Sequence, residues 1–115
     1  MRVLVCGGRT FNDAALLTRT LDMLNENDEI TCIIEGDARG ADRLAGSWAL
    51  VTGIEREVYP AKWDVYGKSA GYKRNMQMLV EGKPDLVVAF EGGKGTAMMV
   101  DIARNADVKT MEISR

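Results

Sequence analysis

The chain has 115 residues, 46% of them hydrophobic and 28% charged, with a formal charge of −2. That length buries one core without covalent staples and matches the make-up of an ordinary globular domain. It contains no histidine, which excludes His-based general base catalysis, Ser-His-Asp triads and most zinc sites.

No apolar run approaches the roughly 20 residues that span a bilayer. The chain opens into Arg2-Val3-Leu4-Val5-Cys6 without the segments of a signal peptide, so a cytoplasmic location is expected. Cys6 and Cys32 each fall in an apolar run and read as buried free thiols. The acidic balance disfavours a broad nucleic-acid face, so nucleic acid is an unlikely partner.

In chain order, strand-like runs at 2–6, 30–35, 54–59, 86–90 and 108–113 alternate with helical periodicity. The first helix carries Ala14, Leu17, Leu21 and Leu24 on one face behind Asn12 as N-cap. The second carries Ala41, Leu44, Ala45 and Trp48, the third Tyr72, Met76 and Leu79, and the fourth Met99, Ile102, Ala103 and Ala106. The methionine and aromatic positions among these are expected in the core. The irregular stretch 60–68, with Trp63, Tyr66 and Gly67, exceeds the usual joint and reads as a binding loop.

Runs 2–6, 30–34 and 86–90 are almost wholly apolar, as strands covered on both faces are, whereas 54–58 and 110–113 alternate like edges. With right-handed crossovers the expected fold is α/β, a Rossmann-like three-layer sandwich on a mostly parallel five-stranded sheet of order 3-2-1-4-5. The topological switch then lies between strands 1 and 4, where ligands bind at strand carboxyl ends.

Strand 1 ends in Gly7-Gly8-Arg9, and strand 4 leads through Glu91 into Gly92-Gly93-Lys94-Gly95-Thr96, which opens a helix. Glycines let backbone amides approach an anion, and the helix N-terminus adds free N–H groups. The plainer alternative is that these glycines make tight strand-to-helix turns. Strand 2 ends in Gly36-Asp37-Ala38-Arg39-Gly40-Ala41-Asp42, where Asp37 or Asp42 suits a ribose or base, or caps the helix. Arg74 fits a phosphate and Asn75 a sugar or base edge, while Trp63 or Tyr66 offers a stacking face. Gly67-Lys68-Ser69 is not a P-loop end, because Lys62 stands where the motif needs glycine. Segments 7–9, 36–42, 60–75 and 92–96 hold seven basic and three acidic residues, a local +4 that leaves −6 elsewhere and favours a compact anionic ligand.

These blocks, together with Trp48-Ala49 and Gly67-Lys68-Ser69-Ala70-Gly71-Tyr72-Lys73-Arg74-Asn75-Met76, resemble the YspA-like branch of the SLOG superfamily over essentially the whole chain. That superfamily groups Rossmann-like domains related to the LOG cytokinin-activating enzymes and to the DNA-processing protein DprA. The resemblance implies one nucleotide-binding domain over 1–115, in bacteria or their phages, often homodimeric. It implies a nucleotide or nucleotide-derived ligand such as an ADP-ribose-like signal, with no cofactor and no metal. The implied ligand-binding residues are Gly7, Gly8, Arg9, Gly36, Asp37, Gly40, Asp42, Lys68, Arg74, Asn75, Gly92, Gly93, Lys94, Gly95 and Thr96. LOG-type hydrolases carry Pro-Gly-Gly-x-Gly-Thr-x-x-Glu; here Glu91 replaces the proline and Met99 the glutamate. Asn75 replaces the lysine of the Arg-Lys pair. A sensor or sequestering module is therefore the first expectation. A hydrolase of the N-glycosidic bond is the second, and single-stranded DNA binding the third.

Overall fold

The computed structural model describes residues 1–114. The elements are β1 (Arg2–Cys6), α1 (Ala14–Asn27), β2 (Cys32–Glu35), α2 (Ala41–Thr52), β3 (Glu55–Val58), α3 (Trp63–Tyr66), α4 (Ala70–Val80), β4 (Leu86–Ala89), α5 (Lys94–Asn105) and β5 (Lys109–Glu112). The strands form one sheet of order β3-β2-β1-β4-β5, parallel at every pairing. This is the expected Rossmann-like order, with its switch between β1 and β4.

Alternation along each strand feeds two apolar layers. Val3, Val5, Ile33 and Val88 pack with Leu17 and Leu21 of α1 and Ala45 and Trp48 of α2. On the opposite face, Leu4, Cys6, Ile34 and Val87 pack with Met78 of α4 and Met99 and Ala103 of α5. Leu17 and Leu21 are fully buried, each contributing about 1.5–3 kcal/mol over the exposed state. The edge strands β3 and β5 have no fully buried residue, in keeping with their alternating sequence. Both cysteines are buried free thiols, and burial pushes Cys6 up to about 12, so it packs as an inert hydrophobe.

Four local expectations are corrected. The cap of α1 is Asp13, whose Oδ1 accepts from the Leu16 amide at 3.0 Å, one residue beyond Asn12. On α4 the buried positions are Ala70, Asn75 and Met78, while Tyr72 stays exposed; a polar side chain occupies the inner face, which an apolar stripe cannot reveal. Ala106 lies just past the end of α5 and is exposed. The stretch 60–68 is not wholly irregular, since it holds α3 and the start of a 3-10 turn over Gly67–Ser69. Among the described residues, no helix is long and apolar enough to cross a membrane.

Candidate functional site

The carboxyl ends of β1 and β4 lie side by side because their strands pair from Val3↔Leu86 to Cys6↔Ala89. Beyond the strands the Phe90 amide donates to the Cys6 carbonyl and the Gly8 amide to the Glu91 carbonyl, both at 2.9 Å. A Cβ on Gly8 would come within 3.0 Å of the Gly92 Cα. Gly8 and Gly92 therefore serve close packing of the two junctions, and the Gly8 amide is not a free donor. The first turn of α5 does present donors, since no side chain caps the helix behind Gly93. A Cβ added at Gly93 or Gly95 would meet nothing within 4 Å.

A cleft of about 390 Å³ opens over this switch point. Of the sequence-predicted residues, Gly7, Gly8, Arg9, Asp42, Arg74, Asn75, Gly93, Gly95 and Thr96 line it, joined by Trp63. Gly36 and Asp37 line an adjoining hollow, and Gly92 a third one on the Thr10–Asn12 side. Gly40 lies beneath the backbone of Gly8 and Arg9. Lys94 is exposed on α5 and Lys68 is exposed in the 3-10 turn, and neither lines the cleft.

Two neighbours on α4 hold the walls together. Asn75 is 5% exposed; its Nδ2 donates to the Gly95 carbonyl at 3.2 Å, and its Oδ1 accepts from Arg74 Nε at 3.0 Å. Arg74 also donates to the Gly36 carbonyl at 2.7 Å, in the space that a side chain at Gly36 would occupy. Burial draws the Arg74 pKa down, the Asp42 carboxylate opposes this, and Arg9 adds like-charge repulsion. Arginine keeps its proton under such pressure, so a half-buried cation faces the cleft. Arg9 is exposed and sits 5.6 Å above the Trp63 ring, a cation–π contact at the cleft mouth.

Asp42 is the one carboxylate among the described lining residues. It accepts from the Ala38 amide at 3.3 Å, and burial raises its pKa to about 6. Met99, at the position of the LOG-type glutamate, is fully buried in the core, so α5 offers no carboxylate there. The sequence reading missed Glu35, Ala38 and Gly71. Glu35 ends β2 but is only 1% exposed, accepts from the Asp37 amide at 2.6 Å, and is raised by burial to about 7. The available signal was an acidic residue closing a strand covered on both faces.

Glu35 makes stability depend on pH. Between its ordinary 4.5 and about 7 the folded protein keeps a proton that the unfolded chain releases. The Glu35 contribution to stability is therefore greatest at acid pH, falls as pH rises through that window, and flattens above it, a change of roughly 3 kcal/mol for this group. Asp42 acts in the same direction from 3.8 to about 6. Urea midpoints at pH 5 and pH 8 should differ less in Glu35→Gln than in the parent; equal differences would reject a buried, proton-holding Glu35.

Comparison with known proteins agrees with this architecture. Residues 1–66 match the model of the YspA, cpYpsA-related SLOG family. The chain is 32% identical over 115 residues to the Gene 61 protein of Mycobacterium phage D29, covering 93% of this chain and 91% of that protein. Among solved structures, DNA processing protein A (DprA) from Streptococcus pneumoniae matches with a TM-score of 0.79 at 19% identity. That match covers 99% of this chain and 50% of the DprA chain, so this chain spans half the length of its structural neighbour. Matched over more than half its length by the family model, and along nearly all of it by the phage protein, the chain belongs to the YspA, cpYpsA-related SLOG family.

Proposed function

We propose that this protein binds a nucleotide or nucleotide-derived phosphate in the switch-point cleft, as a sensor or sequestering module. One observation carries the reading: Arg9 and Arg74 both line a cleft that reaches the uncapped first turn of α5, and neither forms an ion pair with a carboxylate among the described residues. Two cations left unpaired beside open helix amides form a receptor for an anion. The volume falls within the roughly 300–1,000 Å³ of small-molecule sites. In this reading the amides of Lys94, Gly95 and Thr96 hold phosphate with Arg9 and Arg74, Asp42 meets a ribose hydroxyl, and Trp63 stacks on the base. Asn75, its amide engaged by Gly95 and Arg74, positions these groups.

A competing reading, cleavage of the N-glycosidic bond, rests on Asp42 being a buried carboxylate in that cleft. Calorimetry at low salt with AMP, ADP, ribose 5-phosphate and a single-stranded oligonucleotide separates the readings, with released base followed in parallel. The oligonucleotide belongs in the panel because the structural neighbour is named for DNA processing. Nucleotides should bind without turnover, and Arg9→Ala should weaken them about tenfold with an unchanged unfolding midpoint. Heat from the oligonucleotide alone, or from none of the four, would reject the proposal; release of base would favour the hydrolase.

A further inference from the structure

Beside the switch-point cleft lies a second hollow, of about 350 Å³, between the β2–α2 loop and the segment before α3. Arg9, Arg39, Arg43 and Arg74 all line it, and it shares Arg9, Ala38, Trp63 and Arg74 with the first cleft. Asp37 is the one carboxylate among its described lining residues, held by Arg43 at 3.5 Å. Arg39 has no ion pair or hydrogen bond from its side chain among the described residues. Four guanidinium groups around one small hollow repel each other, and a single paired carboxylate does not offset them.

We infer that this hollow is a second anion subsite, so the ligand is a nucleotide with two anionic groups, one on each side of the wall formed by Arg9, Trp63 and Arg74. The inference rests on the proposed phosphate site and names the class of nucleotide that fills it. The two hollows adjoin through shared side chains, so one molecule spans both. Guanidinium forks suit phosphate oxygens, and arginine rather than lysine supplies every cation in the second hollow.

The experiment compares AMP, ADP and adenosine 3′,5′-bisphosphate by calorimetry on the parent, on R39A/R43A, and on K83A/K109A. The last removes the same two charges from positions that line neither hollow. At least one two-phosphate probe should bind the parent about tenfold or more tighter than AMP. R39A/R43A should erase that gain and leave AMP within about twofold, while K83A/K109A keeps the gain. Arg39, Arg43, Lys83 and Lys109 are all exposed, so both variants should fold. If AMP equals both two-phosphate probes, or R39A/R43A weakens AMP equally, the second subsite is rejected and the first cleft stands. If no probe binds, the underlying phosphate site falls as well.

Discussion

Replacing Gly93 with valine should abolish calorimetrically detectable AMP binding, an expected loss of about 100-fold or more, equivalent to about 3 kcal/mol, and should leave the unfolding midpoint close to that of the parent. Gly93 caps α5 with φ −104°, within reach of ordinary residues, and a Cβ there meets nothing within 4 Å. The fold therefore tolerates the side chain. The space it fills lies in front of the helix amides and lines the cleft, where the phosphate is proposed to sit. Binding and stability are thus expected to separate at this position. AMP affinity in the variant equal to that of the parent would show that the phosphate lies elsewhere.

The opposite separation is expected at Gly40, where alanine destabilises the protein by about 3 kcal/mol or more. Gly40 has φ +84° and ψ −130°, a conformation that costs an L-residue about 1–3 kcal/mol by itself. A Cβ there would also run into the Gly8 carbonyl oxygen and lie 2.9 Å from the Arg9 carbonyl carbon. These are backbone atoms and cannot swing aside, so relief requires the β1–α1 junction to move. Gly53 supplies the control: it too has positive φ, +75°, but a Cβ there meets nothing within 4 Å. Gly53→Ala should cost only the left-handed penalty of about 1–2 kcal/mol. Urea unfolding of the two variants measures the difference. Equal losses would mean that close approach of Gly40 to the first junction contributes nothing.

The sheet was legible because burial leaves a direct mark on strand sequence. Val3-Leu4-Val5, Ile33-Ile34 and Leu86-Val87-Val88 are apolar at successive positions, which places them under helices on both faces. Glu55-Arg56-Glu57-Val58 offers no such double face and lies at the edge. The location of the cleft followed from strand order, since β1 and β4 could neighbour each other only if their loops met. The polar interior of the site was less visible. Asn75 is buried to bond the Gly95 carbonyl, and Glu35 to hold the Asp37 amide, yet neither side chain differs in kind from one on a solvated surface. Hydrophobic periodicity registers apolar burial, so it assigned Tyr72 to the core where Asn75 and Met78 go inward. Nor could composition tell which glycines face a ligand. Gly8 and Gly92 lie against each other, while Gly93 and Gly95 stand open, a distinction that appears only when both junctions are in place.

The bond from the Gly8 amide to the Glu91 carbonyl joins segments more than eighty positions apart in the chain. Before β1 and β4 have paired, neither half possesses a complete recess, so partly folded species lacking that long-range closure have no affinity for an occupant. An occupant of the proposed site would then be a folding clamp: it would bind only the finished molecule, draw the population toward it by mass action, and delay opening of the central seam.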